Sequence, residues 1–186
     1  MSSDSLEKTN KFNGPTLLEK FYIEKNGFLA FEGSFRVLPI SESFSRGFYS
    51  WNEFLAKELN LKDMLFFADN ILGEGFCIYK DLFYKYDFES GDLELMGSNL
   101  EDFSSTLLSD YNYYTAYSIA KEWQEKNSEI LFDEVLLPKL PFVLGGDYSI
   151  NNLYLCNVRR MIILKSKILD SIKKHNDGDK IKFIYK

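Results

Sequence analysis

Four carboxylates, Asp87, Glu89, Asp92 and Glu94, crowd into the nine residues YDFESGDLE. Two acids held roughly 5–10 Å apart in a cleft, with pKa values pushed apart, can hydrolyse glycosides or move protons. The same acids on open surface attract a cationic partner. Glu89-Ser90-Gly91-Asp92 reads as a hairpin turn with Gly91 at a positive φ, which places these side chains at a solvated hairpin tip. Glu101-Asp102 adds two more acids shortly afterwards. The dense D-x-[DN]-x-[DN]-G spacing of a calcium loop is absent.

Other chemistry finds little to work with. Ser/His/Asp and Cys/His catalysis need a histidine base, and the one histidine, His175, sits in KKHNDGD at the end of a helical pattern. There it suits the helix dipole, and one histidine cannot form the usual metal cluster. Gly73-Glu74-Gly75 and Gly145-Gly146 extend to neither a P-loop nor GxGxxG, so both read as turns. Cys77 and Cys156 lie in apolar contexts, GFCIY and LYLCNV, without zinc-ligand spacing. Two isolated buried thiols suit a reducing cytosol. No secretory signal and no run of roughly 18 apolar residues stands out, so a cytoplasmic protein is expected. Catalytic residues, cofactor and metal are therefore all expected to be none.

Charge is distributed unevenly. The net charge is −6, but Asp63–Glu134 holds 16 acids and 4 bases, while Val135–Lys186 holds 4 acids and 10 bases. The acidic middle disfavours nucleic acid and anionic membrane and favours a basic partner. The bases Arg159, Arg160, Lys165, Lys167, Lys173 and Lys174 read as the solvated face of a docked helix. Aromatics make up 17% of the chain. Most should fill the core, and the 12 tyrosines also suit an interaction surface.

The elements that must hold these residues follow from periodicity. Pro15 opens a helix with Leu17, Leu18, Phe21 and Tyr22 on one face, ended by Asn26-Gly27. FLAFEGSFRVLPI gives two short extended runs. Ser50-Trp51-Asn52-Glu53 reads as a capping box opening a helix to about Leu59. Met64–Ala68 is wholly apolar, as in a strand covered on both faces. GFCIYKD, FYKYDF and LELM continue as a meander. Ser98-Asn99-Leu100-Glu101 reads as a second capping box, with a helix to Ser109. YNYYTAYSIAKEWQEKN reads as one helix. Pro138, Pro141 and Gly145-Gly146 break helical logic afterwards. Val158, Met161, Ile162, Ile168, Leu169 and Ile172 form the apolar stripe of a long helix, and KIKFIY is a last strand. The class is α+β: a mainly antiparallel central sheet flanked by helices. Residues 13–186 form a single domain behind a flexible segment, 1–12.

The order of these pieces resembles that of the SUKH superfamily, immunity proteins related to a yeast cell-wall synthesis regulator. FFADNILGEGFCIY (Phe66–Tyr79) is similar to its signature of an apolar strand ending in Phe-Ala-Asp, a glycine turn and an alternating aromatic strand. Asn26-Gly27 after an amphipathic helix, FLAFEGSFRVLPI before the Trp51 helix, and YDFESGDLE match in sequence. YYTAYSIAKEWQ, LLPKLPFVLGGDYSINNLYL and DGDKIKFIY resemble a longer bacterial subgroup. The resemblance spans Pro15 to Tyr185. It implies a cytoplasmic, non-catalytic protein that neutralises a toxin, such as a basic nuclease domain, by direct binding. Asp87, Glu89, Asp92 and Glu94 are the partner-binding candidates. The alternatives are a regulatory scaffold of the cell-wall-regulator type that binds a housekeeping protein, and an enzyme using paired carboxylates.

Overall fold

The structure, a computed structural model, describes residues 14–40 and 46–174. The N-terminal segment 1–12, His175 and the expected KIKFIY strand lie outside the described residues.

Pro15 precedes α1 (Thr16–Glu24), whose Leu18 and Tyr22 are buried. Gly27, at φ +76, turns the chain into β1 (Phe28–Ala30) and β2 (Phe35–Val37). Next comes α2 (Phe48–Leu59). It starts two residues before the expected capping box: Gly47 is the N-cap, and Ser50 is the third helical residue. Ser50 Oγ accepts from Gly47 N–H at 3.2 Å, so the serine closes the box from inside. Buried Phe48 and Trp51 account for the earlier start, because the inward face of the helix begins with them.

β3 (Leu65–Asn70), β4 (Gly75–Tyr79), β5 (Leu82–Tyr86) and β6 (Leu93–Gly97) form the meander expected for Leu65–Met96. The six strands build one antiparallel sheet in the order β1-β2-β3-β4-β5-β6. The β3–β4 turn needs Gly73 at φ +74, where a Cβ would run into Met161. Gly91, at φ +82, makes the β5–β6 turn as expected.

α3 (Leu100–Ser109) is capped by Asn99 rather than Ser98. Asn99 Oδ1 accepts from the N–H groups of Glu101 and Asp102, both at 2.9 Å. The expected single helix that follows is two: α4 (Tyr111–Thr115) and α5 (Tyr117–Lys126). Ala116 breaks them apart with a left-handed φ of +55. β7 (Glu134–Pro138) and β8 (Leu153–Asn157) form a separate two-stranded sheet. Two short 3₁₀ turns, Phe142–Leu144 and Ile150–Asn152, shape the loop between them. α6 (Val158–Ile172) closes the described chain.

Phe103 of α3 meets Phe67, Phe76 and Phe83, with ring centroids 5.3–5.8 Å apart. Val135, Leu137, Cys156, Met161 and Ile162 bring the second sheet and α6 into the same core. Each fully buried phenylalanine contributes about 1.5–3 kcal/mol over its exposed state. Asp69, the acid of the Phe-Ala-Asp run, ties the two sheets together. It accepts from Arg36 Nε at 2.7 Å and pairs with Arg46. Arg36 also donates to Glu134 O, and Arg46 to Phe132 O at 2.8 Å. All three side chains are at least 96% buried. The fold is therefore α+β, a helix-flanked antiparallel sheet with a second small sheet.

Candidate functional site

Asn70, fully buried at the end of β3, sets one wall of a groove. Its Oδ1 accepts from Leu72 and Glu74 N–H groups at 3.0 Å each. Its amide donates to Glu74 Oε2 at 2.6 Å and to Tyr114 O at 2.9 Å. One side chain thus fixes the turn, aims Glu74 and anchors α4.

Lys85 lies opposite Glu94 in the β5–β6 register, so their side chains share a face. The Lys85 ammonium stands 3.1 Å from Glu94 Oε2 and 3.5 Å from Glu74 Oε1, and 4.0 Å over the Tyr113 ring. Glu94 also accepts from the Tyr113 and Tyr114 hydroxyls, each at 3.0 Å. Burial opposes the Lys85 charge, but Glu74, Tyr113 and Glu94 outweigh it and hold the ammonium above its ordinary pKa. Burial likewise works against the Glu94 carboxylate, and Lys85 with the two tyrosines overcomes it, keeping Glu94 below the usual range. Both groups stay charged at neutral pH.

Around this pair runs a groove of about 460 Å³, lined also by Leu72, Asp87, Asp92, Ile119 and Tyr148. Asp87 is held by the turn: its Oδ1 accepts from Glu89 N–H at 2.8 Å and its Oδ2 from Ser90 Oγ at 3.1 Å. Tyr148 reaches the groove from the β7–β8 loop, where its ring stacks on Phe142 at 4.0 Å. Partial burial, then Glu74, Asp87 and Glu89, raise the pKa of its hydroxyl. Tyr113 and Tyr148 are 54% and 60% exposed, large aromatic faces beside an acidic cleft.

Three of the four expected binding residues, Asp87, Asp92 and Glu94, therefore gather in this groove. Glu89 does not: it is 1% exposed and cannot touch a partner. Its Oε1 accepts from Val143 N–H at 2.9 Å, and its Oε2 stands 3.7 Å from Lys165 Nζ. Lys165 is corrected with it. The helix pattern placed this lysine on the solvated basic face, yet it is 1% exposed and donates to Leu72 O at 3.1 Å. Arg160, Lys167, Lys173 and Lys174 are exposed as expected. Glu101 and Asp102 sit in the first turn of α3, away from the groove lining.

Sequence reasoning missed Glu74, Lys85, Tyr113 and Tyr148, and the inward turn of Lys165. Two signals were present. Lys85 alternates with apolar Phe83 on the covered side of β5, and Lys165 falls between Met161/Ile162 and Ile168 on the apolar stripe. Both cysteines are buried, as expected, and burial pushes the Cys77 thiol up to about 12, which makes it a poor nucleophile. No helix among the described residues is long and apolar enough to cross a membrane.

No protein-family model and no curated sequence matches the chain. Among solved structures, the fold is similar to that of Atu4351 from Agrobacterium tumefaciens, with a TM-score of 0.57 and 12% identity. The likeness covers 82% of this chain and 75% of that one. At this identity it speaks for the architecture alone.

Proposed function

We propose that this chain is a non-catalytic binding protein. In this reading it is a cytoplasmic immunity protein of the SUKH type that neutralises a bacterial toxin domain by direct contact. The toxin surface it covers is basic, as in a nuclease, and the contact is made through the β5–β6 groove. The single observation that carries the reading is the groove's make-up: four carboxylates, Glu74, Asp87, Asp92 and Glu94, against one Lys85, flanked by two exposed tyrosines. Complementary charge speeds association and selects partners, and aromatic anchors supply affinity. The order of motifs that resembles the SUKH signature supports the family reading.

The groove favours binding over proton transfer. Acid–base catalysis by two carboxylates needs one of them protonated at working pH. The groove carboxylate with the most donors, Glu94, is kept ionised by Lys85 and two tyrosine hydroxyls.

The test is co-purification with the product of the adjacent toxin-like gene, together with rescue of cells that express it. A stable complex and restored growth are expected. Neither a complex nor rescue would sink the reading.

A further inference from the structure

The groove is charged beyond its own needs. Lys85 answers Glu74 and Glu94 directly, and Lys165 lies behind the floor, 3.7 Å from Glu89 and 4.0 Å from Asp87. Counting only the lining side chains, four acids and one lysine leave a formal −3. Asp92 is exposed, and its carboxylate makes no ion pair and accepts no side-chain hydrogen bond among the described residues. Glu89 Oε2 is buried, with no hydrogen-bond donor. The Tyr148 ring, braced by Phe142, keeps an exposed face, and Tyr113 keeps another.

We infer that the groove receives an arginine-bearing segment of the partner, with the guanidinium set against the tyrosine rings and hydrogen-bonded to Asp92 and Asp87. The inference rests on the binding function above and names the chemistry of the contact. A volume of about 460 Å³ falls within the roughly 300–1,000 Å³ of ligand pockets, room for a long side chain with flanking backbone rather than a bare ion. Arginine fits better than lysine. Its planar fork donates to a carboxylate in two parallel bonds and stacks on aromatic faces, whereas an ammonium is a strongly hydrated point charge. Lys85 already shows a cation on this aromatic surface, 4.0 Å over Tyr113. The incoming group extends that arrangement to the carboxylate that Lys85 does not reach.

The probe is the blocked peptide Gly-Arg-Arg-Gly, titrated into the full chain by calorimetry at low salt. Its controls are the citrulline and lysine counterparts. The arginine peptide should bind, with at least tenfold preference over citrulline. Asp92→Asn and Tyr148→Ala should each weaken it at least fivefold while leaving the thermal melt in place. Asp92→Asn changes an exposed side chain without a partner, so it remains informative even if Tyr148→Ala disturbs the loop. No binding by the wild type, equal binding of citrulline or lysine peptides, or unchanged binding by Asp92→Asn overturns the inference. The same variant in the toxin-rescue assay separates the two claims. Rescue that survives Asp92→Asn at full strength removes arginine from the groove and leaves the immunity reading standing. Arginine-peptide binding without any rescue upholds the groove and removes the toxin.

Discussion

Lys165 and Glu89 show how one residue decides whether an acidic hairpin is surface or core. Each is 1% exposed, and they face one another at 3.7 Å. Removing one partner of a buried pair strands the other charge, which typically costs about 3–5 kcal/mol, whereas replacing both can be nearly neutral. Lys165→Met should therefore destabilise by about 3–5 kcal/mol in a urea titration. Lys165→Met combined with Glu89→Gln should recover most of that loss, because glutamine still accepts from Val143 N–H. A double variant as unstable as the single would mean that the helix packing, not the charge, was lost. Lys85 and Glu94 make a pH signature. Lys85 titrates above its ordinary value, so its contribution is complete below roughly pH 10.4 and fades as pH rises through the folded value. Glu94 titrates below its ordinary value, so its contribution is complete above roughly pH 4.3 and fades as pH falls through the folded value. The stability gap between wild type and Glu94→Gln should be flat from about pH 5 to 9 and shrink below about pH 4, read from denaturation midpoints. A gap that persists at pH 3 would contradict the ionised pair.

At the scale of elements, the turns carry most of what the pattern showed and most of what it hid. The β4–β5 hairpin has a two-residue loop, Lys80-Asp81, with φ of +50 and +61. Two positive φ values belong to the I′ turn, which favours Asn-Gly. Asp81 is an exposed non-glycine residue in the left-handed region, a strain of about 1–2 kcal/mol that glycine's entropy cost partly offsets. Asp81→Gly should stabilise the protein by about 0.5–1 kcal/mol, seen as a higher urea midpoint. A lower midpoint would show that the aspartate makes a compensating contact. Glycine marks the turns that were legible: Gly73 and Gly91 take the positive φ their positions imply. Where other residues take that conformation, sequence is silent. Ala116, a strong helix former, sits left-handed between α4 and α5 because Ala116 and Ala120 bury against Leu72 and Leu136, and this is why one expected helix is two. The two capping boxes are displaced in opposite directions: Ser50 lies three positions after the N-cap Gly47 because it caps from inside the turn, and Ser98 lies one position before Asn99, whose side chain takes the Glu101 and Asp102 N–H groups. Of the site, the acids of the hairpin were legible because their spacing is local. Glu74, Tyr113 and Tyr148 join them only through the β3–β4 turn, α4 and the β7–β8 loop, across as many as 61 positions of chain between Asp87 and Tyr148, which no local pattern encodes.

On the scale of the molecule, Asp69 with Arg36 and Arg46 fastens the main sheet to the β7–β8 sheet, whose loop carries Tyr148 to the groove. The groove is thus assembled from two sheets that a buried charge network holds in fixed relation, with its aromatic walls preset. Preset walls lower the ordering cost of association and leave the rate to electrostatics. The segment Asp63–Glu134, with 16 acids and 4 bases, supplies every lining residue of the groove except Tyr148, and its net charge sets a negative field there. Such a field steers an oppositely charged partner until salt screens it, over a Debye length of about 10 Å at 0.1 M and about 3 Å at 1 M. If the proposed basic partner binds there, raising ionic strength from about 0.05 to 0.5 M should cut its association rate at least tenfold, while a dissociation rate set by contacts inside the groove changes much less. Stopped-flow mixing or surface-based kinetics across that salt range measures both rates. Asp92→Asn separates them further: it removes one charge of many from the distant field but one of the closest from the groove, so it should raise the dissociation rate more than it lowers the association rate. An association rate insensitive to salt would mean that the partner is not basic, and the acidic face would then be left with no role in recognition.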